Sequence, residues 1–160
     1  MAKQSAGLLV YRCRAGRLEV FLVHPGGPFW QNKDEGAWSI PKGEFSQDEV
    51  SLDAAKREFH EETGFKIEGH FTPLRPIKQR GGKTVHAWLV EADFDSDQVK
   101  SNTFSLEWPR GSGKIKEFPE VDRAEWFALE AAREKILDSQ RPLLDEAQSL
   151  LVGDPPRSNS

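Results

Sequence analysis

The run Gly43–Phe65, GEFSQDEVSLDAAKREFHEETGF, constrains this chain more than any other part of it. Ser46 followed three residues later by Glu49 has the form of a capping box, and Gly64 supplies a C-terminal stop, so the spacing predicts a helix from near Gln47 to about Thr63. Leu52, Ala55 and Phe59 then share one face and can be buried. Glu58, Glu61 and Glu62 lie three and four residues apart, which brings their carboxylates together on adjacent turns. Like charges at that spacing cost an isolated helix roughly 0.2–0.5 kcal/mol per pair. The cluster is therefore unfavourable unless a cation compensates it, and oxygen-only ligands suit a hard ion such as Mg²⁺ or Mn²⁺. Taken alone, three glutamates also fit a solvated acidic face.

The rest of the chain sets the frame for that helix. At 160 residues it has room for one compact domain and a short tail, assigned here to 1–152 and a flexible 153–160. Hydrophobic residues make up 37%, enough for a core. Lys plus Arg is 22 against 26 for Asp plus Glu, a net charge of −4 that disfavours a general nucleic-acid binder and predicts no stable nucleic-acid partner. The single cysteine, Cys13, excludes an intramolecular disulfide and any zinc site of several thiolates. No apolar run approaches the ~20 residues of a membrane span, and the start of the chain lacks a signal-peptide pattern. A cytoplasmic protein without membrane contact is expected.

Ser5–Arg14 and Leu18–Pro25 read as two strands of a hairpin turning at Ala15-Gly16-Arg17. Gly26–Gly36 is a polar, glycine-rich loop leading to a short strand at Trp38–Pro41. Lys66–Lys78 and Thr84–Phe94 read as further strands, with a turn at Gly81-Gly82. Asp95–Glu120 reads as one long irregular loop, and a loop of that size in a compact domain is often functional. A last strand at Glu125–Leu129 and helices at Glu130–Asp138 and Arg141–Val152 complete an α/β sandwich.

With its neighbours included, the glutamate run resembles the Nudix box at every constrained position. These are Gly43, Glu49, Arg57, Glu58, Phe59, Glu61, Glu62, Gly64 and Phe65. The resemblance implies a Nudix α/β/α sandwich on a central mixed β-sheet, and a hydrolase that cleaves a phosphoanhydride in a nucleoside diphosphate linked to another moiety. It implies Glu58, Glu61 and Glu62 as ligands of Mg²⁺ or Mn²⁺, helped by a backbone carbonyl at Lys42 or Gly43. Glu49 and Arg57 would brace the helix and orient the carboxylates. Trp38–Gly43, WSIPKG, is similar to the approach to the box in diadenosine polyphosphate hydrolases.

Further candidates lie outside the box. Lys42 suits a bridging phosphate as a point charge, and Lys78, Arg80 and Lys83 form a basic lip on an acidic protein. Phe29 and Trp30 offer aromatic surface that can stack a base, although core packing is the commoner fate of such residues. Trp88 and Trp126 read as core, and His24 and His86 as packed, hydrogen-bonded histidines. Glu120, favoured over Glu107 and Glu117, is the candidate late carboxylate that completes the cage or takes a proton. The expected substrate is a dinucleoside polyphosphate, then a nucleoside triphosphate. The alternatives are a nucleotide sensor without turnover, an ADP-ribose pyrophosphatase and an RNA-cap hydrolase.

Overall fold

The computed structural model describes residues 3–152, so the expected tail at 153–160 lies outside the described residues. Strands β1 (Gln4–Arg14) and β2 (Arg17–Pro25) form the expected hairpin. Ala15 and Gly16 both have positive φ, 53° and 76°, the backbone that a two-residue hairpin turn matching strand twist requires. β3 (Lys42–Glu44) pairs antiparallel with β1, while β6 (Thr84–Glu91) runs parallel to β1 over eight residue pairs. Two-residue strands β4 (Thr72–Pro73) and β5 (Ile77–Lys78) border β6, and β9 (Val121–Ala128) pairs with β2. The result is a mixed seven-stranded sheet.

Helix α1 (Ser51–Thr63) covers one face of this sheet. Helices α2 (Leu129–Lys135) and α3 (Arg141–Leu151) cover the other. Each face has its own core, because alternate residues of a strand point to opposite sides. Leu8, Val10, Phe21 and Val23 pack towards Ala55 and Phe59 of α1, whereas Leu9, Val20 and Leu22 pack towards Ile136, Leu143 and Leu144. This α/β/α layering is the expected fold class. Among the described residues, no helix is long and apolar enough to cross a membrane.

The sequence pattern departs from the structure in four places, the first being the strand expected at Trp38–Pro41, where Trp38 and Ser39 make only isolated bridges and the strand, β3, follows at Lys42–Glu44. Helix α1 starts at Ser51 rather than near Gln47, with Val50 as an extended N-cap and no side-chain cap. Glu49 N–H instead donates to Ser46 O at 3.1 Å, and the Glu49 carboxylate is held by Arg57, so it cannot reach back to close a capping box. Lys66–Lys78 forms only the short β4 and β5. The segment Asp95–Glu120, expected as a loop, contains a separate hairpin, β7 (Thr103–Glu107) with β8 (Ile115–Pro119), in which Phe104 faces Phe118 across the strands. Trp88 and Trp126 are half-buried against the α1-side core, and His24 is fully buried with both ring nitrogens engaged.

Candidate active site

Arg57 organises the acidic end of α1. Its Nε and Nη2 donate to the two carboxylate oxygens of Glu49 at 2.8 and 2.9 Å, and Nη1 donates to Glu58 at 2.9 Å and Glu61 at 3.2 Å. A planar fork of five donors suits this divided pairing, which a lysine would not reproduce. Arg57 keeps its proton more firmly than usual because of Glu49 first, while Glu49 is correspondingly easier to ionise because of Arg57.

Glu58 turns from α1 onto β3. A Cβ placed on Gly43 would come within 2.5 Å of Glu58 Oε1 and closer still to its carboxylate carbon, so only glycine leaves this space open. Gly7 does the same one strand over, where a Cβ would lie 2.5 Å from Pro41 O and 2.6 Å from Lys42 Cβ. Two close approaches therefore bring β1, β3 and the carboxylates into contact. C-terminal to the cluster, Gly64 has φ 83° and donates to His60 O at 2.8 Å, ending the helix as expected.

Glu62 is 9% exposed. Burial raises its pKa well above the usual carboxylate value, and the Glu58 and Glu120 charges add to that, opposed by Lys42. Burial also raises the pKa of Glu58, with Glu61 and Glu120 contributing against Arg57. Glu120 is exposed, and its pKa is raised by partial desolvation first and then by Glu61. These four carboxylates thus share one electrostatic environment. Lys42 is half-buried, and desolvation followed by repulsion from Lys83 lowers its pKa, with Glu62, Glu44 and Glu58 opposing.

A backbone relay positions Glu120. Asn102 N–H donates to Glu61 O at 2.9 Å, Glu120 N–H to Asn102 O at 2.9 Å, and Gly26 N–H to Glu120 O at 3.0 Å. The far end of the chain is thereby tied to the last turn of α1. Sequence spacing carries no trace of this relay, because it joins segments about 40 and 60 residues from the helix through main-chain atoms alone.

Among the outlying candidates, Lys83 ion-pairs with Glu44 at 3.9 Å and acts on Lys42, so it belongs to this region. Lys78 is exposed on β5, and among the described residues no ion pair joins it to the carboxylates. The Arg80 side chain lies outside the described residues. Trp30 is not brought to the site. It packs against the core on the α2–α3 face, opposite the carboxylate helix, with Lys33 Nζ 5.3 Å from its ring centroid. Phe29 is the exposed member of that aromatic pair, and its ring meets Trp108 on the β7–β8 hairpin, a partner for which the chain carries no local signal.

The chemistry of the donor set fits a hard divalent cation, being oxygen-rich, partly dehydrated and short of compensating positive charge. Among the described residues, however, no three His, Cys, Asp or Glu side chains stand ready-made as a metal cage. Arg57 pairs with both Glu58 and Glu61. A cation would compete with that guanidinium for their oxygens.

The NUDIX domain family profile matches residues 1–147. Among solved structures, a C. elegans Ap4A hydrolase binary complex is 26% identical, with a TM-score of 0.66 over 96% of this chain and 100% of that chain. The NUDIX domain of Shewanella oneidensis NrtR, complexed with ADP ribose, is 16% identical, with a TM-score of 0.65 over 94% and 89% of the two chains, a likeness of fold. Among curated proteins, mRNA decapping complex subunit 2 of Schizosaccharomyces pombe is 29% identical over 82 residues, 48% of this chain. The chain spans about a tenth of the length of that relative, 11%. The domain match over nearly the whole chain, on a fold that presents the carboxylate helix intact, makes this protein a member of the Nudix family.

Proposed function

We propose that this protein is a divalent-metal-dependent phosphoanhydride hydrolase that acts on nucleoside polyphosphates, with dinucleoside polyphosphates preferred and nucleoside triphosphates second. The observation that carries the reading is the shared environment of Glu58, Glu61, Glu62 and Glu120 beside Lys42. The similarity to a C. elegans Ap4A hydrolase along the full length of both chains supports the substrate class. Glu58, Glu61 and Glu62 would hold Mg²⁺ or Mn²⁺, with a main-chain carbonyl of Lys42 or Gly43 as a further oxygen. Such an ion, when bound, neutralises phosphate oxygens and makes water acidic enough to act as a nucleophile near neutral pH.

The protein's own groups do the rest. Arg57, fixed by Glu49, sets the orientation of Glu58 and Glu61. Lys42 and Lys83 place positive charge against the phosphate chain. Water adds to one phosphorus, the bridging P–O bond breaks with its electron pair leaving on the departing phosphate, and the water proton passes to a carboxylate. Glu120, tied to the end of α1 through Asn102, would take that proton, since partial desolvation and the Glu61 charge make it more basic than an ordinary glutamate. Glu120→Gln is expected to lower kcat by ~10-fold or more with little change in Tm. Wild-type kcat in that variant would move the role elsewhere.

The deciding experiment incubates the protein and Mg²⁺ with diadenosine tetraphosphate, nucleoside triphosphates, ADP-ribose and capped RNA, and identifies products by chromatography. A higher kcat/KM for diadenosine tetraphosphate than for ADP-ribose is expected. The reverse order would overturn the substrate assignment. Capped RNA is included because of the partial match to a decapping subunit.

A further inference from the structure

Beside the carboxylates, the loop after β2 runs along the β7–β8 hairpin and is in contact with it at three successive points. Gly26 N–H bonds Glu120 O, at the foot of the hairpin. Gly27 lies under the Phe104 ring, where a Cβ would come 2.9 Å from the Cζ atom. The Phe29 ring then meets Trp108, with centroids 5.4 Å apart and planes at 81°. Phe29 is 57% exposed, so much of its ring remains open to a ligand. Ring planes at 81° leave at least one face of Phe29 uncovered by Trp108, so the two rings form a corner.

The tip beyond this corner is built and charged. Trp108 N–H donates to Lys114 O at 2.9 Å, and Gly111 N–H to Glu107 Oε1 at 2.8 Å, so the tip is closed by its own hydrogen bonds. Arg110, Lys114 and Lys116 are exposed, and among the described residues none of them has an ion-pair partner. On a chain of net charge −4, the hairpin Thr103–Pro119 carries these three cations against Glu107 and Glu117, a net +1 beside the aromatic corner, which suits a ligand that is flat and anionic. Three residues span at most about 10 Å, so the Phe29 backbone lies within that reach of Gly26, whose N–H is bound 3.0 Å from the Glu120 carbonyl. A nucleotide with its phosphates beside Glu120 would extend its base along this loop towards the corner.

We infer that Phe29 and Trp108 form a nucleobase-stacking subsite, with the hairpin cations drawing in the phosphorylated ligand. This inference rests on the nucleotide substrate proposed above. Stacking on an aromatic ring is sequence-tolerant, so the subsite holds a nucleoside without choosing its base.

Steady-state kinetics of Phe29→Ala with diadenosine tetraphosphate test it. KM is expected to rise at least about fivefold, with a smaller change in kcat and with Phe29→Tyr close to wild type. Inhibition by inorganic tripolyphosphate, which has no base, is expected to stay the same. A binding measurement separates the subsite from the reaction. Without divalent ions, an adenosine nucleotide is expected to quench tryptophan fluorescence more in the wild type than in Trp108→Phe, while tripolyphosphate quenches both alike. An unchanged KM in Phe29→Ala overturns the subsite and leaves the hydrolase reading standing. If the wild type hydrolyses no nucleotide, that reading fails, and the quench decides the subsite alone; equal quenching in wild type and Trp108→Phe overturns it.

Discussion

Glu62→Gln is expected to lower turnover by at least ~100-fold, the scale of losing a metal ligand or positioned proton acceptor, and excess chelator is expected to abolish wild-type hydrolysis. The same substitution should stabilise the metal-free fold. Burial raises the Glu62 pKa in the folded chain above its unfolded value, so the folded state binds more protons as pH rises from the usual carboxylate range. Stability contributed by this group is therefore fully present below the unfolded pKa and is lost as pH climbs through the raised folded value. At neutral pH in chelator the wild type carries that deficit, and a neutral glutamine removes it. Thermal unfolding in chelator should give Glu62→Gln a Tm above wild type at pH 7 and a smaller difference at pH 4. Added Mg²⁺ should raise the wild-type Tm and leave the variant's nearly unchanged. Full activity in excess chelator, or in Glu62→Gln, would refute the assigned chemistry.

What the chain encodes locally is legible in its sequence. The helix carrying Glu58, Glu61 and Glu62 can be read because 3.6-residue periodicity and a terminal glycine act within a few residues. Its start cannot, because Glu49 has two possible partners, its own helix N-terminus or Arg57, and the bidentate ion pair wins. Lys66–Lys78 has strand composition, yet Gly69, at φ 149°, and Pro73 and Pro76 interrupt it, so only β4 and β5 pair. The β7–β8 hairpin is hidden by its polar, proline- and glycine-containing tip, and of its five residue pairs Phe104 with Phe118 alone has a large apolar side chain on both strands. Trp30 and Phe29 are adjacent and chemically alike, so only tertiary packing separates the core residue from the exposed one. Glu120 stands out in the sequence by its place before the last strand; what holds it beside α1 is a main-chain relay through Asn102 that side-chain patterns do not encode.

Gly43→Ala is expected to cut kcat by ~10- to 100-fold while leaving Tm nearly unchanged. The added Cβ would fall where the Glu58 carboxylate now sits. That carboxylate is the free end of a flexible side chain and can swing aside, so the backbone of β3 need not move. Stability then changes little, but Glu58 loses its place relative to Glu61 and Glu62, and a misplacement of about 1 Å can cost on the order of 100-fold in rate. Gly16→Ala supplies the opposite pattern. Gly16 has φ 76° with nothing within 4 Å of where a Cβ would stand, so alanine there meets no neighbour but is forced into left-handed backbone. It should lower stability by about 1 kcal/mol and leave kcat at the wild-type value. Measuring Tm and kcat for both variants separates a glycine that gives space to a carboxylate from one that permits a turn. Equal losses of stability in the two, with activity tracking stability, would show that Gly43 serves the fold and not the site.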